Sequence, residues 1–154
     1  YMLYESSRRM IPLSEEIMFL RNYMSLMRQR FPENKVSVTS EFPADNEIVG
    51  ISLPPLLFLV FIEDAFKHGV SYQEASFVAV SIEVSQQSLR FNCINSNHSR
   101  ICDDMETTGI GLRNIRQRLS LIYGDKASLE LNVSRTTYTV NLTIPAHAVE
   151  DSYN

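Results

Sequence analysis

The stretch Leu56-Leu57-Phe58-Leu59-Val60-Phe61-Ile62-Glu63-Asp64-Ala65-Phe66-Lys67-His68-Gly69 decides how this chain is read. An unbroken apolar run with no polar face is a helix buried on most sides, predicted here near residues 55 to 68. Leu53-Pro54-Pro55 fixes backbone angles that suit a helix start, and Gly69 ends the helix. Its last turn becomes polar at Glu63, Asp64, Lys67 and His68, which is unusual beside a core element. Asp64 and Lys67 are three apart and Glu63 and Lys67 four apart, so either pair can close a plain helical ion pair. The same residues also suit a carboxylate that holds a divalent cation while a lysine faces phosphate oxygens. Spacing alone leaves both readings open.

Upstream, Leu13, Ile17, Leu20, Met24 and Met27 recur at alternating steps of four and three, which stacks them on one face of a helix near residues 14 to 30. Ser14 is its expected N-cap, and Pro32 marks its end. The stripe reads first as core packing. Val36-Ser37-Val38-Thr39 alternates at period two and continues as a strand toward Phe42. Downstream, Phe77 to Val84 and Leu89 to Ile94 read as a hairpin. Residues 95 to 108 lose all periodicity and form a long loop, which in a compact domain is usually functional or disordered. Gly109-Ile110-Gly111 then leads into a helix over about residues 112 to 123, with Leu112, Ile115, Leu119 and Ile122 on one face. Strands near 127 to 132 and 136 to 144 close the fold, and residues 146 to 154 form a polar, flexible tail. The pattern is α+β: a two-layer sandwich of helices on mostly hairpin-connected strands, with one long loop.

Gly109-x-Gly111 before a helix supplies backbone N–H groups that an anion can approach. It lacks the third glycine of a dinucleotide-binding turn and the Gly-Lys-Ser/Thr ending of a P-loop, so both of those nucleotide folds are set aside. The chain has 154 residues, 44% of them hydrophobic, and a net charge of −4. That is one domain's worth of core without the polycationic surface that neutralises nucleic-acid phosphates. Cys93 and Cys102 stand in no metal-ligand spacing and fit a reducing compartment. No apolar run reaches the roughly 18 to 20 residues that span a bilayer. A chain that starts at Tyr1 within a helical pattern is expected to be a fragment of a longer protein.

The order of these pieces resembles the GHKL ATPases of sensor kinases, and in detail the LytS-like histidine kinases. The likeness rests on Pro12-Leu13-Ser14-Glu15-Glu16 with Phe19-Leu20 and Tyr23, on Pro54-Pro55, and on Glu63-x-Ala65-Phe66-Lys67-His68-Gly69. It continues in Gly109-Ile110-Gly111-Leu112-Arg113-Asn114-x-Arg116-x-Arg118-Leu119 with Tyr123, and covers about residues 3 to 145. The resemblance implies a Bergerat ATP-binding fold, with a mixed sheet packed on helices and the loop of residues 96 to 108 as an ATP lid. Residues 1–30 are then the end of a dimerisation and phosphoacceptor region with its connecting helix, and 31–145 the catalytic domain. Asp64 takes the magnesium position and Asn95 the adenine-recognition position. Lys67 and His68 face the phosphates, Gly109 and Gly111 let the lid close, and Leu112 and Asn114 follow in the first turn. Glu63 is the catalytic candidate, orienting the accepting histidine or assisting magnesium. ATP and Mg²⁺ are the implied ligands. The implied partners are the protein's own phosphoacceptor domain, in a homodimer, and a response regulator. The setting is the cytoplasmic side of an inner-membrane sensor whose membrane segments lie outside this chain.

Relatives usually carry asparagine at position 64 and often aspartate at 95, so the two residues are exchanged here. Two unit charges about 4 Å apart at an effective dielectric near 20 interact by about 4 kcal/mol, so Asp64 attracts a triphosphate through magnesium and repels it without. At Asn95 the bond to an adenine amino group loses its charge assistance, falling from about 1.5–3 to about 0.5–1.5 kcal/mol. Asn97, where glycine is common, is expected to narrow the adenine pocket. The family's phosphoacceptor motif is missing, and His68, His98 and His147 are assigned to the site, the loop and the tail. The expected function is transfer of the γ-phosphoryl group of ATP to a histidine outside this chain. The alternative is a degenerate, non-catalytic module for dimerisation or regulator docking. An ATP-hydrolysing relative is disfavoured, because Val60 stands where such enzymes carry a water-activating glutamate.

Overall fold

The computed structural model describes residues 9–85, 87–98 and 105–146, with residues 105–110 as backbone alone. Its elements run β1 (Ile11–Pro12), α1 (Leu13–Arg30), β2 (Val36–Glu41), β3 (Ser52–Leu53), α2 (Leu59–Gly69), β4 (Ser76–Val84), β5 (Ser88–Ser96), α3 (Met105–Tyr123), β6 (Ser128–Val133) and β7 (Thr137–Pro145). The main sheet has the order β2-β4-β5-β7-β6. β2 and β4 are parallel and the remaining neighbours antiparallel, so the sheet is mixed as expected.

Alternation along the strands divides the two faces of this sheet. Val80, Cys93 and Val140 are register partners across β4, β5 and β7, as are Ile82, Phe91 and Leu142. All six are buried against the helices. The opposite face carries Arg90, Asn92, Asn141 and Thr143, with Asn92 Nδ2 donating to Asn141 Oδ1 at 2.6 Å. One apolar face needs one layer of cover, and the result is a two-layer sandwich.

Aromatic contacts join the layers. Phe58, just before α2, stacks on Phe91 with centroids 4.6 Å apart. At the other end of the helix, Phe66 lies between Tyr23 and Phe31, at 6.2 and 6.0 Å. Leu13, Ile17, Leu20 and Met24 are at most 2% exposed, so the stripe on α1 is core. Removing the Phe91 ring would cost about 3–5 kcal/mol in lost transfer energy and cavity.

Several expected boundaries moved. Ser14 is not the cap of α1; the N-cap is Pro12, with no side-chain bond. β1 holds Pro12 extended opposite Ser52, and Leu13 N–H donates to Ile51 O at 2.8 Å, so chain pairing starts this helix. Within Leu53-Pro54-Pro55, Leu53 belongs to a strand, and α2 begins at Leu59 rather than near 55. Leu56 sits at φ +59, a left-handed conformation that α-helical bonding cannot pass through. α3 begins at Met105 rather than 112, which places Gly109 and Gly111 inside a helix and shortens the expected loop. A glycine inside a helix costs about 1 kcal/mol, little against the burial of Leu119 and Tyr123 further along it. The expected segments 1–8, 99–104 and 147–154, with Cys102 and His147, lie outside the described residues. No helix among the described residues is long and apolar enough to cross a membrane.

Candidate functional site

The C-terminal end of α2 lies against the end of β5. A Cβ on Gly69 would meet Asn95 Nδ2 at 2.7 Å, so only glycine permits this approach. The contact is fixed from the strand side as well: the Ser96 hydroxyl donates to Gly69 O and accepts from Phe77 N–H. Asn95 is 3% exposed. Its Nδ2 donates to Ser96 O at 2.8 Å, and its Oδ1 accepts no bond among the described residues. Tyr138, the β7 register partner of Asn95, stands beside it on the core face.

Asp64 projects from the same end of α2 and is half-buried. Neither the Asp64–Lys67 nor the Glu63–Lys67 ion pair forms, so the plain helical salt bridge is not what these charges make. Burial holds the Asp64 carboxyl above its ordinary pKa, and the charges of His68 and then Lys67 pull it back. The Tyr138 phenol is also raised, first by burial and then by the charges of Asp64 and a Cys93 thiolate. Asp64, His68, Asn95 and Tyr138 thus share one locality, where the amide oxygen of a buried asparagine and a half-buried carboxylate both lack protein partners among the described residues.

The other expected residues divide. Lys67 is exposed and acts on this locality through its charge. Glu63 is exposed and turned elsewhere: its charge raises the phenol pKa of Tyr23 on α1, after burial, while that of Asp64 acts on β7. Adjacent helical residues diverge by about 100°, which is why the two carboxylates serve different neighbours. Gly111 is exposed with open space where a Cβ would be, Leu112 packs on the core and Asn114 faces solvent. Asn97 joins the end of β5 to the β6–β7 turn: its Nδ2 donates to Ser134 O at 2.8 Å and its N–H to Thr136 O at 2.8 Å.

Residues that sequence reading passed over also gather here. His98 Nε2 lies 3.0 Å from Ser76 Oγ and its Nδ1 3.0 Å from Glu74 Oε2. The order looks nucleophilic, yet the Ser76 hydroxyl accepts from Ser71 N–H, lies 3.0 Å from Glu74 O as its acceptor, and is buried. A hydroxyl so engaged ties the α2–β4 connection to the end of β5. Sequence separation hid this cluster, and no spacing signal marks it. Glu16 was legible: three residues after Leu13 and four before Leu20, it interrupts the buried stripe of α1 with a carboxylate.

This arrangement is the catalytic-domain fold of histidine kinases. The catalytic domain of histidine kinase ThkA superposes with a TM-score of 0.64 at 16% identity, over 90% of this chain and 95% of that one. Full-length ShkA, solved in complex with AMPPNP, superposes with a TM-score of 0.61 at 18% identity, over 90% of this chain and 32% of that one. In sequence the chain is LytS-like: the sensor protein LytS of Staphylococcus haemolyticus is 27% identical over 92% of it. The chain spans about a quarter of that relative's length, 26%. No family model matches the chain.

Proposed function

We propose that the chain is the Mg·ATP-binding catalytic domain of a two-component sensor histidine kinase, and that it donates the γ-phosphoryl group to a histidine outside this chain. The observation that carries this reading is the pairing, at one end of α2, of an unpartnered carboxylate, Asp64, with a buried amide, Asn95, whose oxygen is free to accept. Asn95 Oδ1 would accept from an exocyclic amino group. Asp64 would hold Mg²⁺, which when bound neutralises phosphate charge. His68 and Lys67 add positive charge along the same turn, suited to phosphate oxygens. Gly111, with open space where a Cβ would be, leaves room for a ligand beside α3, and Gly109, Leu112 and Asn114 are its neighbours along the chain. Glu63, exposed on the α1 side, is the group for an incoming histidine from the phosphoacceptor domain of a homodimer. A response regulator is the onward acceptor, and the protein's membrane attachment lies outside this chain, on whose cytoplasmic side the domain works. A fluorescent ATP analogue titrated with Mg²⁺ tests the reading: saturable binding that a chelator weakens supports it. No saturation at high micromolar concentration sinks it.

A second reading is a non-catalytic module that keeps the fold and docks partners. The residues at 64 and 95 favour it, since both site positions depart from the family pattern. Under this reading the parent chain binds no analogue, and Asp64→Asn with Asn95→Asp restores binding.

A further inference from the structure

Helix α2 has no cap of its own. Phe58 stands at its N-cap with no side-chain bond, and Leu56 just before it sits in a left-handed turn, so the N–H groups of residues 56 to 58 precede the helix and lack a helical acceptor. The first of them is answered from 40 residues upstream, where Glu16 Oε1 accepts from Leu56 N–H at 3.0 Å. The Leu57 and Phe58 N–H groups also favour the Glu16 anion. Glu16 Oε2 makes no hydrogen bond of standard geometry among the described residues, so those two groups act on it through the field. From α3, Arg118 Nη2 donates to Pro55 O at 3.1 Å, and its charge draws the same carboxylate toward the ionised form. Glu16 is 1% exposed. A buried carboxylate is a costly way to fill space, and a leucine would pack there without desolvation. Its return is a junction where α1, the start of α2 and α3 meet.

The other end of α2 is the candidate site. A helix of 11 residues is a rod of about 16 Å, and Gly69 at its far end has no clearance against Asn95. Displacing the start of such a rod changes that contact. We propose that Glu16 is a positioning residue, which locks the start of α2 to α1 and α3 and so sets how the Asp64–Gly69 turn meets Asn95. Movement of α1 reaches the site through this bond. The consequence for nucleotide rests on the function proposed above; the mechanical coupling does not.

The test compares Glu16→Gln, Glu16→Leu and Arg118→Met in the 154-residue chain, reading the backbone amide resonances of Gly69 and Asn95 and the affinity for the ATP analogue with magnesium. Gln keeps an oxygen for Leu56 N–H and should leave both resonances near the parent positions. Leu should move them and weaken the analogue by roughly 2- to 30-fold, as expected for a coupling mutation. Arg118→Met, which leaves the carboxylate in place, should move the same resonances and decides the matter if Glu16→Leu does not fold. Unmoved Gly69 and Asn95 resonances in a folded Leu or Met variant overturn the proposal. If the parent binds no analogue, the nucleotide reading fails while the resonances still decide the coupling.

Discussion

Gly69, the last residue of α2, touches the buried amide of Asn95 on β5 so closely that a Cβ there would come within 2.7 Å of Nδ2 and 2.8 Å of Asn95 Cβ. The nearest atoms belong to a buried side chain held by Ser96 O, which cannot swing aside cheaply.

Gly69→Ala should therefore destabilise the fold, because overpacking costs about 1–3 kcal/mol and the helical preference of alanine returns at most about 1. Asn95 must move with it, so affinity for the ATP analogue should fall as well. Urea unfolding measures the first effect and analogue titration the second. An unchanged midpoint together with unchanged affinity would mean that the contact yields freely.

Asp64→Asn should stabilise the metal-free protein increasingly as pH rises. The carboxyl is raised above its ordinary value of 3.8, so the folded state binds this proton more tightly than the unfolded chain. Stability linked to the proton is present below the unfolded pKa and is lost as pH rises through the raised folded value. Asparagine carries no such penalty. Urea melts without magnesium, from about pH 3 to 7, should show the variant pulling ahead of the parent as pH rises past the ordinary carboxylate range. A constant difference across that range contradicts the burial of this charge. The same variant should bind nucleotide with less dependence on magnesium.

Cys93 should resist alkylation until the protein unfolds. The thiol is 1% exposed, and burial pushes its pKa up to about 12, so neither access nor thiolate is available near neutral pH. Iodoacetamide labelling followed by peptide mass spectrometry should find Cys93 modified in urea and protected in buffer. Rapid labelling in buffer would show β5 opening locally.

Much of this architecture was legible along the chain. The period-four and period-three stripe on α1 and the alternation in β4 and β5 come from burial on one face, which composition records position by position. The polar end of α2 was equally plain, because charge beside an apolar run is conspicuous. Helix starts were not. α2 begins only at Leu59, past a left-handed turn at Leu56 that no leucine announces, and α1 begins where Pro12 pairs with Ser52. Glycine at 109 and 111 suggested a lead-in to a helix starting near 112, but propensity is a weak term that continued helix overrides.

By itself the sequence determined the class of fold, the two-layer division and the residues that can carry charge at the end of α2, since these follow from periodicity and local chemistry. Only the tertiary structure decided which of those residues meet. It separated Glu63 from Asp64 by the turn of the helix, set Asn95 against Gly69 across the sheet, and brought Glu16 to Leu56 over 40 residues. Such contacts depend on the relative placement of whole elements, and local spacing holds no record of that placement.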